Sequence, residues 1–152
     1  MSRQDTILYL REDADNRQKE LAQTLGRQRA LLHEIQNKLQ LLENYLAQYR
    51  EQAVAAEQAG ILSAQAMEMR SFIAQLEQVL KLQRENLQHQ QQQVRWLQGE
   101  WVAARGRGKG LASLAQRLEN EQRNLALRKM QKELDEWAMR SSALRIGRVF
   151  CL

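Results

Sequence analysis

Between residues 32 and 53 the apolar side chains Leu32, Ile35, Leu39, Leu42, Leu46, Tyr49 and Ala53 recur at alternating steps of three and four. After Gly60 the rhythm resumes with Leu62, Ala66, Met69, Ile73, Leu76 and Leu80, followed by Gln83 and Leu87. Such spacing is the a/d seam of a coiled coil, and a short break between two good partners folds one onto the other. The pattern predicts an all-α chain, a long antiparallel two-helix coiled-coil hairpin with a C-terminal helical overhang. A first helix is expected over about 5–57, capped near Asp5, and a turn over about 58–62 around Gly60. A second helix, with Ser63 as its cap, is expected over about 63–142. Fifty residues of helix at ~1.5 Å each give limbs of about 75 Å.

Carried backwards, the register puts Leu25, Leu21, Ala14 and Ile7 on the seam, with Gln18 and Gln28 as polar members that help fix alignment. Antiparallel pairing then sets Leu46 against Leu76, Tyr49 against Ile73, Leu42 against Leu80 and Ile35 against Leu87. Further out it sets Leu25 against Leu97, Leu21 against Trp101 and Ile7 against Ala115. The first helix runs out opposite about residue 117, so 118–142 has nothing in the chain to cover it. The run Gln88–Gln93, broken by His89, reads as a polar helix face. Three glycines in Gly106–Gly110 each cost a helix roughly 1 kcal/mol, which predicts a frayed joint. Residues 143–152 read as a loose tail, and the whole of 1–152 as one elongated domain.

Composition agrees with helices rather than a globular core. Of 152 residues, 43% are apolar but only 5% aromatic, and there is no proline where average usage gives roughly seven. The net charge of +5 turns attention to acidic partners. Residues 1–60 hold eight Lys/Arg against nine Asp/Glu, so the excess base lies in the second half. Cys151 is the single cysteine, which excludes an intrachain disulfide and suits a reducing compartment. No run approaches the ~18 apolar residues of a membrane span, and no signal peptide is visible. The expected location is the cytoplasm.

Catalytic chemistry finds no footing. His33, His89 and Cys151 offer no metal spacing, and the carboxylates are scattered on helix surfaces. In Arg105-Gly106-Arg107-Gly108-Lys109-Gly110 the lysine precedes a glycine instead of Ser/Thr, and no strand leads into it, so it is no phosphate loop. The chain is read as a non-enzyme with no cofactor and no metal.

The informative contrast lies between the two flanks of the seam. The e flank is ordinary, with Arg29, Gln36, Glu43 and Arg50 on one limb and Arg70, Glu77 and Arg84 on the other. The g flank holds Leu31, Lys38 and Tyr45 facing Phe72 and Val79. With the rims of Leu42, Tyr49 and Leu76, it forms an apolar and aromatic band that marks a binding surface. The competing reading is that the band receives a third helix of the same protein, such as the overhang folded back. Trp96, Trp101 and Trp137 are read as seam packing.

Leu42-x-x-Tyr45-x-x-x-Tyr49-Arg50, Gly60-Ile61 and Phe72-Ile73-x-x-Leu76-Glu77 resemble the FliJ-type proteins of flagellar type III export. The segment Met130–Arg140 is similar to that family's C-terminal pattern, and the resemblance covers about residues 5–142. It implies a soluble, cytoplasmic part of the export apparatus resembling the central stalk of rotary ATPases. Such a protein promotes assembly of the export ATPase hexamer, contacts the membrane export gate, and helps recycle export chaperones. Membrane association would be peripheral and through the gate alone. The family's gate-contacting surface falls here on Leu42, Tyr45, Tyr49, Phe72, Leu76 and Val79. Lys38 and Gln83 depart from its usual glutamine and histidine, and the glycine-rich joint departs from its charged helix. The stripe Leu127, Met130, Leu134 and Trp137 on the overhang is the expected contact with the ATPase ring. The reading from another class is a basic coiled-coil protein that binds nucleic acid or a filament.

Overall fold

A computed structural model describes residues 2–60 and 63–150, the side chains up to Arg148. Its described residues form two helices, α1 over Arg3–Gln58 and α2 over Ser63–Phe150. The chain divides into two units, Asn16–Ala104 and Met1–Asp15 with Arg105–Leu152. The expected seam residue Leu62, the motif residue Ile61 and the terminal Cys151 lie outside the described residues.

α1 begins two residues earlier than expected, and its cap is Ser2 rather than Asp5. The Ser2 Oγ accepts the main-chain N–H of Asp5 at 3.2 Å, and the Ser2 N–H returns to the Asp5 carboxylate at 3.3 Å. This reciprocal capping box satisfies two otherwise orphaned donors. At the other end Gly60 takes a left-handed φ of 75°, and its N–H reaches back to the Glu57 carbonyl at 3.3 Å. An L side chain is disfavoured in that conformation, which is why glycine ends the helix here. Ser63 is the first helical residue of α2.

In the Asn16–Ala104 unit the helices are antiparallel, and the expected seam is the buried one. One cluster joins Leu39, Leu46 and Leu80 with Leu42, Ile73, Leu76 and Leu87 around it. Another joins Leu21, Leu25, Val94, Leu97 and Ala104, with Leu32 and Trp101 packed against it. Leu80 is only 1% exposed, the most enclosed large side chain of the described residues. Burying one leucine contributes roughly 1.5–3 kcal/mol, so the seam, not helix propensity, holds the limbs together.

Gln90 departs from the reading of its run as a polar face, for it is just 7% exposed. It sits three residues after Leu87 and four before Val94, which is a seam position. Its Nε2 donates to the Gln28 side-chain Oε1 at 2.7 Å and to the Gln28 main-chain carbonyl at 3.1 Å. Both amide protons thus find acceptors, so its burial leaves no orphaned polar atom.

In the second unit Ile7 is buried, Ala115 and Leu118 are half-buried, and Gln4 donates to Gln122 at 2.7 Å. The segment 106–110 is helical where the glycines predict a joint, and α2 passes residue 142 to reach Phe150. A glycine in mid-helix is charged only its propagation cost, since the flanking turns have already met the larger cost of nucleation.

Candidate partner-binding site

The e flank of the Asn16–Ala104 unit is closed by charge. Arg84 meets Glu43 at 3.5 Å, Arg50 meets Glu77 at 2.8 Å, and Arg70 meets Glu57 at 3.2 Å. On each helix successive members stand one heptad apart, so the pairs form rungs of a single ladder. All six side chains keep substantial exposure, so each pair contributes only ~0.2–1 kcal/mol. Glu57 extends the e flank expected from sequence by one rung.

The g flank has no such closure among the described residues. Tyr45, Phe72 and Val79 are 47, 43 and 42% exposed, and Leu31 is similarly open. Within the Asn16–Ala104 unit no described residue covers them. Leu42, Tyr49 and Leu76 are half-buried rims on the same edge. Tyr49 and Phe72 meet edge to face, ring centres 4.7 Å apart at 65°. Such a pair contributes about 0.5–1.5 kcal/mol beyond area burial and holds the Phe72 ring in place.

Two further leucines belong to this edge and were missed from sequence. Leu41 and Leu82 are both more than half exposed, each three residues from a g position, Lys38 and Val79 respectively. Their signal was an apolar residue just outside the g row. A cleft of about 390 Å³ opens beside the rings, lined by Tyr49, Phe72, Met69 and the small residues Ala53, Ala56 and Ala66. Alanines on the seam leave room there that leucines fill farther along.

In the other unit Leu127, Met130, Leu134 and Trp137 are all exposed, as are Leu125, Met139, Leu144 and Ile146. The tryptophans divide. Trp101 packs on the seam as expected, whereas Trp96 and Trp137 stand out in solvent. Among the described residues no three His, Cys, Asp or Glu side chains gather into a metal site, and no helix is long and apolar enough to cross a membrane.

No curated protein and no solved structure matches the chain. The family model described as the flagellar FliJ protein matches residues 2–146, a span that takes in α1, all but the last four residues of α2, the g flank and the exposed stripe of α2. On that match the chain belongs to the FliJ family of flagellar, export-related proteins.

Proposed function

We propose that this chain is a stalk and adaptor of the flagellar type III export apparatus. In this reading it promotes assembly of the export ATPase ring through the α2 stripe Leu127, Met130, Leu134 and Trp137. It contacts the export gate through Leu42, Tyr45, Tyr49, Phe72, Leu76 and Val79, and it helps return substrate chaperones to the cycle. Its action is binding and coupling, with no bond made or broken. It works in the cytoplasm at the inner face of the membrane, held there by the gate protein.

The observation that carries the reading is the asymmetry of one seam. Charge pairs close the e flank, while the g flank keeps half-exposed aromatic rings that no described residue of the Asn16–Ala104 unit covers. Exposed aromatic residues beside well-packed rims are what anchor protein interfaces. The test is a binding titration of the purified chain with the cytoplasmic part of the gate protein, alongside a motility assay. Tyr45→Ala with Phe72→Ala is expected to weaken gate binding by on the order of a hundredfold and to abolish motility, and retention of both defeats the gate assignment. A pull-down from the native cell tests the class, since a stalk must bring down the export ATPase. Salt-sensitive DNA binding lost on neutralising Arg105, Arg107 and Lys109 would instead favour a nucleic-acid role.

A further inference from the structure

The ladder on the e flank alternates in sign. Along α1 its members run Glu43, Arg50, Glu57, and along α2 they run Arg70, Glu77, Arg84, at heptad steps in both helices. A slip of one heptad preserves the knobs-into-holes geometry and moves the turn by only about half a heptad, so seam spacing resists it weakly. The charges do not tolerate it. Slipping one way sets Glu43 against Glu77 and Arg50 against Arg70. Slipping the other way sets Arg50 against Arg84 and Glu57 against Glu77. Either displacement turns attraction into repulsion.

The buried amide acts against the same slip by different physics. Gln90 uses one N–H on the Gln28 main-chain carbonyl, which some residue supplies in any alignment. Its other N–H needs the Gln28 Oε1, which only this alignment supplies. One heptad away the facing seam residue is Leu21 or Ile35, both buried and neither an acceptor through its side chain. Leaving a buried donor unmet shifts a population by on the order of tenfold or more.

We infer that the alternating ladder Glu43–Arg84, Arg50–Glu77, Glu57–Arg70 and the Gln28–Gln90 amide together form a register code, a device that holds the hairpin in one alignment out of several that its seam accepts. Register decides what the opposite edge presents. In this alignment Tyr45 falls between Phe72 and Val79 on the g flank, and Lys38 falls between Val79 and Asn86, nearer to Asn86. One heptad of slip replaces those correspondences and dissolves the aromatic pair of Tyr49 with Phe72. The code therefore maintains the band, and it stands whether or not the band serves the gate.

The experiment reads register by thiol cross-linking in a Cys151→Ser background. Cysteines replace Lys38 and one of Asn86, Val79 or Gln93, which correspond to the observed alignment and to the slip in each direction. With the native ladder, a short bis-maleimide is expected to join 38 with 86 and leave the other two combinations unlinked. A second chain carries Arg70→Glu, Glu77→Arg and Arg84→Glu, with Gln28→Leu and Gln90→Leu. It has like charges on all three rungs and no amide, and its cross-link is expected to move to 79 or 93. Adding Glu43→Arg, Arg50→Glu and Glu57→Arg restores opposite signs, and the cross-link is expected to return to 86. Should the second chain lose its helical circular dichroism, recovery of helix and of the 38–86 link in the third still supports the code. A second chain that folds and still links only 38 with 86 overturns it, as does a third chain that fails to recover that link. Neither result depends on any partner, so a failure here is distinct from a failure of the proposed function.

Discussion

Between Asn16 and Ala104 one pair of helices presents two long edges built on different chemistry. Along one edge Arg84, Glu77 and Arg70 find carboxylates or guanidinium groups on α1 within 3.5 Å. Along the other, Tyr45, Phe72 and Val79 stand half exposed beside Leu41 and Leu82. Exposed ion pairs contribute little stability, so the first edge is better understood as specifying alignment than as supplying strength. Exposed aromatic side chains work against solubility, which is why the proposed function gives the second edge a partner.

The comparison is broken most severely from beneath. Leu80→Ala removes a fully enclosed side chain that supports both edges, and should cost about 2–5 kcal/mol in urea unfolding. Binding and rung formation should then fail together. Tyr45→Ala with Phe72→Ala separates the edges. Gate binding should weaken by on the order of a hundredfold, as for paired anchor residues. Unfolding free energy should fall by less than for Leu80→Ala, through the Tyr49–Phe72 ring contact and the buried half of each ring. If stability drops by as much as with Leu80→Ala, those rings are core and not surface.

Gly106→Ala with Gly110→Ala touches neither edge. A Cβ at each position meets nothing within 4 Å, and both residues are helical, so each change should stabilise by about 0.5–1 kcal/mol. A loss of stability would mean that these glycines are needed for something packed closely against α2. Smallest of all is Arg50→Ala. It should cost under about 1 kcal/mol, fade in molar salt, and leave gate binding as it was.

Most of the seam was readable, because a 3–4 repeat of apolar side chains has one helical interpretation, and only Val94 and Ala104 join the clusters without having been singled out. The g flank followed, since apolar and aromatic residues at positions that are usually polar are visible without a partner. The ladder was not readable in the same way. Arginine and glutamate at e positions look like any solvated face, and their alternation carries meaning only once the opposing helix is in place. Gln90 was hidden by its neighbours, for a glutamine run disguises the one member whose spacing from Leu87 and Val94 puts it inside. At 106–110 a local propensity was weighed without the helix already growing on both sides.

Gly60 also sets the order in which the molecule can close. The rung nearest to it, Glu57 with Arg70, joins residues 13 apart in the chain, while Gln28 with Gln90 spans 62 and Gln4 with Gln122 spans 118. Closing the longest loop first rather than the shortest costs about 2 kcal/mol more chain entropy. Contacts are therefore expected to spread outward from the turn, each rung shortening the loop left for the next. Pulse-labelled amide exchange during refolding should protect the Leu46 and Leu80 region before that of Leu21 and Leu97, and simultaneous protection would contradict this order. A hairpin that closes from its tip meets its ladder one sign at a time, so a misaligned start encounters repulsion within its first two rungs, while little chain has yet been committed.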